Sequence, residues 1–288
     1  LVLYSGPYAR PDGLGAFLNR SGIEAVLVDN DASSGGGRGH DVLNDEFYRG
    51  LLSRVRAGEF FAIFAAPPCS TFSISRFYAK PDAPQPVRDR LHILGLPDLP
   101  KSQQRELAEA NAVVARTCAI LRAGWDVGSQ FIVENPVDRG DRSDARAFLN
   151  HGHGSIWQMP EMIELQKSTG AGSVNFSQCM IGADWQKRTT FLYSAAFESW
   201  MEPLRRLDCN HASHSAAAGG ERDEAGEWVS RSAAAYPPEL NLYLAKTFAS
   251  LHSGIAEAPA KAVAPTPRSV SFAPAVAVPP GKPAVTPS

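Results

Sequence analysis

Cys69 is the residue of this sequence whose position most directly suggests chemistry. It follows Pro67 and Pro68, which end the apolar, aromatic-rich run 60–66. A run of that length predicts a buried strand, and two prolines cannot continue its hydrogen-bonded ladder. The thiol is therefore expected at the edge of a sheet, where open α/β sheets bind their ligands. A thiolate there would act as a nucleophile; a small buried residue in a turn is the ordinary alternative.

The first thirty residues predict a nucleotide-binding half-unit. A short strand at 1–4 leads through the loop 5–13 into a helix over 14–20, and a second strand over 23–28 ends at Asp29. Glycines in such a loop let the backbone approach a ligand, and an acid after the second strand accepts hydrogen bonds from ribose hydroxyls. A glycine loop alone is a weak signal of binding.

Three motifs, in this order, resemble those of the cytosine-C5 DNA methyltransferases. Residues 67–73, Pro-Pro-Cys-Ser-Thr-Phe-Ser, are similar to the family's nucleophile motif, usually Pro-Cys-Gln followed by Phe-Ser. Residues 131–136, Phe-Ile-Val-Glu-Asn-Pro, resemble its Glu-Asn-Val strand end. Residues 233–240, Ala-Ala-Ala-Tyr-Pro-Pro-Glu-Leu, resemble its last motif, Gly-Asn-Ala-Val-Pro-Pro followed by a helix. Ser70 replaces the family's glutamine, and Pro136 replaces its valine.

The resemblance implies an α/β, Rossmann-like S-adenosylmethionine-dependent methyltransferase fold, with a mostly parallel sheet and helices on both faces. It also implies methyl transfer from S-adenosylmethionine to C5 of cytosine in DNA. Cys69 would add to C6 of the ring, Glu134 would hydrogen-bond or protonate N3, and Arg188 would lie near O2, with Lys187 as the second candidate. Ala66 before the prolines argues against the amino-methyltransferases, which carry Asn or Asp there.

The resemblance further implies a set of cofactor contacts. Tyr4-Ser5-Gly6 fits the family's aromatic-Ser-Gly opening, and Asp41 occupies the place of an acid that contacts the adenine amino group. Capping of the following helix is an equal alternative for Asp41, although Asn44 or Asp45 could cap that helix too. The expected cofactor-binding residues are Tyr4, Ser5, Gly6, Asp29, Asp41 and Pro67.

Composition and charge indicate an ordinary globular protein. The 288 residues are 44% hydrophobic and 20% charged, with a net charge of −2, so nothing in the whole chain favours nucleic acid. A DNA surface would have to be a local basic patch. Arg76, Arg88 and Arg90, in the proline-rich stretch 74–104, are expected either to meet phosphates or to pair with nearby aspartates.

Four cysteines without CxxC spacing favour reduced thiols, and hence an intracellular protein of the nucleus or cytoplasm. No apolar run approaches the roughly 18–20 residues of a membrane span. The chain opens in a strand without an initiator Met, so we expect a piece of a longer polypeptide or a processed product.

The remaining elements are expected to complete one domain. Helical periodicity covers 47–55 and 102–122, the latter with Cys118 on its apolar face. A separate short helix is expected over 162–166. Strands over 176–182 and 190–193 predict an antiparallel hairpin at one edge of the sheet. A last helix begins at the prolines 237 and 238 and ends at His252.

This pattern divides the chain into a catalytic domain and a tail. Residues 1–254 form the methyltransferase-like domain, in which 194–232 are a short remnant of the family's target-recognition region. Residues 255–288 contain eight prolines and no acid after Glu257, which predicts a disordered tail or linker.

Two other interpretations stay open. The chain could be a catalytically degenerate domain that binds cofactor or nucleic acid within a larger polyprotein, which the short recognition region favours. It could instead be an interaction module in which Cys209, His211 and His214 bind zinc, with Cys179 or His252 completing the four ligands.

Overall fold

The computed structural model describes residues 1–78, 84–214 and 234–254, in which six strands form one sheet. The strands are β1 (Val2–Leu3), β2 (Leu27–Val28), β3 (Ala62–Ala65), β4 (Gln130–Pro136), β5 (Gly172–Ser177) and β6 (Arg188–Tyr193). Their order is β2-β1-β3-β4-β6-β5. The first four pair in parallel, whereas β6 runs antiparallel to both β4 and β5. The prediction of an α/β fold with a mostly parallel sheet is confirmed.

Helices cover both faces of this sheet. They are α1 (Leu14–Arg20), α2 (Asp45–Arg56), α3 (Lys101–Asp126), α4 (Pro160–Thr169), α5 (Glu198–Met201) and α6 (Pro238–His252). α1 and α6 pack on one face and α2, α3 and α4 on the other. Side chains alternate accordingly along β3, where Ile63 and Ala65 join one core and Ala62 and Phe64 the other. Across the described ranges, none of the helices has the length and apolarity needed to span a membrane.

The switch in helix placement creates a crevice between β1 and β3. The helix that follows β1 packs on one face of the sheet, and the helix that follows the neighbouring strand β3 packs on the other. The carboxyl ends of two such strands border the usual ligand site of an open α/β sheet. Residues 4–6 follow β1 and residues 66–69 follow β3, so both stretches border this crevice.

Most predicted helices are found close to their expected positions, but two strands differ. The strand expected over 23–28 pairs only at Leu27 and Val28, because its partner β1 is equally short. The strand expected over 176–182 was wrong in its bounds, since β5 ends at Ser177 and a 3-10 turn follows over 178–181. β5 begins earlier, at Gly172, where an added Cβ would come within 2.9 Å of the Tyr193 ring.

The described part of the 194–232 stretch packs into the domain. Phe197, Met201 and Leu204 are fully buried in the core beneath α6. Residues 215–232 of this stretch and the adjoining residue 233, the tail expected over 255–288, and residues 79–83 of the proline-rich stretch lie outside the described residues.

Candidate active site

Cys69 lies in a loop that is fastened to the neighbouring strand. The residue is partly exposed, just past the carboxyl end of β3. The buried side-chain amide of Asn135 in β4 donates a hydrogen bond to the carbonyl of Pro67 at 2.7 Å. After the thiol, the Phe72 N–H donates to the carbonyl of Cys69 at 2.9 Å and closes a 3-10 turn. The loop geometry is thus fixed on both sides of Cys69.

The arginines of the proline-rich stretch hold this loop from behind. Arg76 donates to the carbonyl of Ser70 at 2.7 Å. Arg88 is 0% exposed, donates to Thr71 Oγ1 at 3.0 Å and lies 3.8 Å over the Phe72 ring. The other partners of these arginines include Glu106, Asn111 and, for Arg90, Asp138. Arg76 and Arg88 are therefore buried supports of the Cys69 loop. Sequence reasoning missed this role because it expected phosphates or aspartates as partners, whereas the loop offers a backbone carbonyl and a hydroxyl.

Glu134 is a buried acid beside this loop. It lies in β4, is 4% exposed, and shares the α6 face with Ile132 by strand alternation. The hydroxyl of Tyr236 donates to Glu134 Oε2 at 2.7 Å, and Lys187 Nζ lies 3.4 Å from Oε1. Within the described part of the chain, Oε1 has no hydrogen-bond partner. Because a buried oxygen without a hydrogen bond is unfavourable even beside a cation, this atom is suited to bonding a ligand.

Cys69, Glu134, Lys187 and Tyr236 interact electrostatically and form what we call the catalytic cluster. Burial raises the pKa of the Cys69 thiol, the Lys187 charge opposes that rise, and the Glu134 charge adds to it. Burial also raises the pKa of Tyr236 well above its ordinary value, and Glu134 and Cys69 add to that shift. Tyr236 therefore stays a hydrogen-bond donor to Glu134.

Arg188 and Lys187 occupy different surroundings. Arg188 donates to Asp208 at 2.7 Å and lies 3.8 Å from Asp144, so carboxylates hold its guanidinium. Lys187, the second candidate in the sequence, is the basic residue next to Glu134. The alternation of side chains along β6 could have indicated this. Lys187 is four residues from Phe191 and so points to the same face of the sheet, and Phe191 packs on the α6 face as Glu134 does.

Tyr236 is a site residue that sequence reasoning did not single out. It precedes α6 in the Tyr-Pro-Pro motif, and its ring packs edge-on against Phe64 and lies 5.4 Å from Lys187 Nζ. The motif signalled a closing helix but not which atom the tyrosine would reach. The contact with Glu134 depends on the packing of α6 over β3 and β4.

The loop after β1 contains two residues with positive φ. Tyr4 has φ of 60° and Gly6 has φ of 67°, and positive φ is uncommon for a residue with a side chain. The buried hydroxyl of Tyr4 donates to Thr117 at 2.6 Å, which anchors the turn. Ser5 donates to the carbonyl of Gly6 at 3.2 Å. A Cβ at Gly6 would meet nothing within 4 Å, so space lies directly beside this backbone.

Two acids border that turn. Asp29 accepts hydrogen bonds from the Gly6 N–H at 2.9 Å and from the Asp31 N–H at 2.9 Å, which joins the ends of β1 and β2. Asp41 accepts from the Leu43 N–H at 2.8 Å, whereas Asn44 caps α2. Both acids are partly exposed, and each has lone pairs left for a ligand.

Cys209, His211 and His214 form a cluster with Cys179, in which one ligand atom of each residue lies within 4.8 Å of the others. His252 does not join them, since its ring packs against Phe61 with centroids 4.6 Å apart.

Comparison with known proteins finds no relative of this chain. No family model matches the chain, and a search of curated proteins finds no similar sequence.

Proposed function

We propose that this chain is a Rossmann-like methyltransferase that transfers a methyl group from S-adenosylmethionine to C5 of cytosine in DNA. One observation carries the proposal: Cys69 follows β3, which borders the crevice between β1 and β3, and Glu134 lies near the carboxyl end of the neighbouring strand β4. A nucleophile and an acid in contact with one ligand site are the groups that this reaction requires.

The residues around the crevice fit the cofactor. The turn 4–6 would let the backbone approach it, Asp29 would accept hydrogen bonds from ribose hydroxyls, and Asp41 would contact the adenine amino group. Pro67 borders the same space from β3. S-adenosylmethionine supplies an electrophilic methyl group on a sulfonium.

Cys69 makes the target carbon reactive. Its thiolate forms a bond to C6 of the cytosine ring, which becomes an enamine with a nucleophilic C5. C5 takes the methyl group from the sulfonium, whose bond to that carbon breaks to leave a neutral thioether. Transfer of the C5 proton to water then re-forms the ring double bond and breaks the bond between sulfur and C6. The thiolate is thereby regenerated.

The other members of the catalytic cluster support this step. Glu134 bonds to N3 through the oxygen that lacks a hydrogen-bond partner in the described chain, and so stabilises charge on the ring. Tyr236 orients that carboxyl group through its other oxygen. The Lys187 ammonium favours the thiolate over the thiol, and it takes the basic role that the sequence assigned to Arg188.

Methyl transfer can be measured directly. The full chain is incubated with methyl-labelled S-adenosylmethionine and cytosine-containing duplex DNA, and the digested nucleosides are separated by mass. We expect labelled 5-methylcytosine from the parent chain and from Ser70→Ala, an exposed neighbour, and none from Cys69→Ala. Label on the exocyclic N4, or on RNA alone, would contradict the proposal.

A catalytically degenerate domain would give a different result in these measurements. A chain of that kind would bind S-adenosylmethionine in a calorimetric titration and transfer no label to any nucleic acid.

A further inference from the structure

A second cluster of side chains lies at the same edge of the sheet, on the far side of β6. Cys179 belongs to the 3-10 turn after β5, and Cys209, His211 and His214 follow the 3-10 turn that ends at Arg206. One ligand atom from each of the four residues lies within 4.8 Å of all the others. The two cysteines are free rather than bonded to each other. The fold thus gathers two thiols and two imidazoles from separate stretches of chain.

The two distances from Cys209 to the imidazoles match the edges of a tetrahedral metal site. Cys209 Sγ lies 3.3 Å from His214 Nε2 and 3.6 Å from His211 Nδ1. Zinc binds sulfur at about 2.3 Å and imidazole nitrogen at about 2.0 Å, which makes the edges of a tetrahedron about 3.3–3.8 Å long. The two imidazole planes meet at 76°, with ring centroids 5.3 Å apart, so the rings converge without stacking.

The two stretches that carry the ligands are fastened to each other by backbone hydrogen bonds. The Ser177 N–H donates to the carbonyl of Leu207 at 2.8 Å. The Cys209 N–H donates to Ser177 Oγ at 3.3 Å. These bonds hold Cys209 beside Cys179, which is buried, while His211 lies at the surface where a metal ion can enter. The ligand set is thus largely preformed.

We propose that Cys179, Cys209, His211 and His214 bind one Zn²⁺ ion. Two thiolates with two imidazoles are a ligand set that Zn²⁺ prefers, and four protein ligands leave no open position for a substrate. The site is therefore structural. This inference does not rest on the proposed methyl transfer, because none of the four residues belongs to the catalytic cluster.

The metal would hold in place the residues that contact the start of β6. Asp208, which lies between the last turn and Cys209, pairs with Arg188 at 2.7 Å and also pairs with Arg146. Arg188 begins β6, and Lys187 of the catalytic cluster precedes it. By holding the segment 207–214 in place, zinc would hold Asp208 against Arg188 and so support the position of Lys187.

Metal content tests the proposal independently of activity. The full chain is purified without chelator, and its metals are measured by elemental mass spectrometry against protein concentration. We expect one zinc per chain. After exchange with Co²⁺, we expect the visible absorption of tetrahedral cobalt and a thiolate-to-cobalt charge-transfer band.

Matched variants identify the ligands. We expect His211→Ala, which changes an exposed residue and so leaves the fold intact, and Cys209→Ser to lose the bound zinc. His151→Ala, another exposed histidine, and Cys69→Ala retain one zinc per chain. Zinc that persists in both ligand variants would overturn the proposal, and so would a parent chain that binds neither metal or carries a Cys179–Cys209 disulfide.

Discussion

At the scale of single residues, the state of the Cys69 thiol determines what the site can do. Burial disfavours the thiolate, and the two charged neighbours act on it in opposite directions. Lys187 is therefore more than a surface cation: it is the group that partly offsets burial. This balance makes the reactivity of Cys69 sensitive to either neighbour, and the direction of each effect is known.

Lys187→Met is expected to raise the pKa of the Cys69 thiol, and Glu134→Gln to lower it. Below the thiol pKa, alkylation follows the thiolate fraction, so at a fixed pH iodoacetamide labels Cys69 more slowly in the first variant and faster in the second. Peptide mass spectrometry of labelled Cys69 across a pH series measures both rates. Lys167→Met, an exposed lysine on α4, leaves the profile unchanged; equal profiles for all variants would contradict the placement of Lys187.

Tyr236→Phe is expected to destabilise the domain by about 1–3 kcal/mol, since the second oxygen of a buried carboxylate loses its hydrogen bond. Urea unfolding of parent and variant gives the difference. Tyr48→Phe is the control, because the partly buried Tyr48 packs its ring against Arg116. A loss no larger than that of Tyr48→Phe would show that the Tyr236 hydroxyl does not hold Glu134.

At the scale of elements, the reversed strand β6 places the basic residue. Because β6 runs against β4, its first residues lie beside the last residues of β4, with Thr189 opposite Pro136. Lys187 therefore arrives next to Glu134 without a long loop. The hairpin with β5 depends in turn on the close packing of Gly172 beneath Tyr193.

Gly172→Ala is expected to lower the free energy of unfolding by about 1–3 kcal/mol, because the new methyl group overlaps a buried ring that cannot move freely. Gly50→Ala should act in the opposite direction, raising stability by about 0.5–1 kcal/mol, because Gly50 faces open space inside α2. Urea midpoints compare the two variants with the parent. A neutral Gly172→Ala would contradict the strand packing described above.

Local patterns predicted the elements better than they predicted the contacts between them. Apolar periodicity located α2 and α3, two prolines marked the start of α6, and the run before Pro67 located β3. These signals are local, because the burial of one helix face or one strand shows in the pattern of a few neighbouring residues. The sequence pattern did not predict the start of β5 because its first residue, Gly172, is of a type that is uncommon in strands. The hydrogen bond from Tyr236 to Glu134 and the anchoring of Arg88 join distant parts of the chain, and no local pattern encodes them.

At the scale of the whole molecule, the residues of the candidate active site and of the proposed zinc site lie at one end of the sheet, where its parallel strands have their carboxyl termini. In order across the sheet, Asp29, Gly6 and Cys69 follow their strands there, Glu134 lies near the end of β4, and Lys187 precedes the antiparallel β6. Cys179 follows β5, beyond them. Neighbouring strands are about 4.8 Å apart, so this row spans a length suited to a cofactor, a base and a support side by side. The zinc ligands close the end of the row, where the sheet has its edge strand β5.

Removal of zinc is expected to loosen that end of the molecule. A chelator should lower the Tm of the parent chain by about 5–10 °C, which corresponds to a loss of a few kcal/mol for a domain of this size. Protons compete for thiolates and imidazoles, so the metal should also be released as the pH falls. Differential scanning fluorimetry with and without chelator measures the change; His211→Ala should show no further loss, and an unaffected parent chain would contradict a structural role.

The central claim, that Cys69 attacks a cytosine ring, is tested most directly by covalent trapping. The full chain is incubated with S-adenosylmethionine and an oligonucleotide duplex that carries 5-fluorocytosine, whose fluorine prevents loss of the C5 substituent after methyl transfer. We predict an adduct that survives denaturation, maps to Cys69 by peptide mass spectrometry and is absent from Cys69→Ala. A chain that binds the cofactor but forms no adduct would contradict the claim, as would an adduct that persists in the alanine variant.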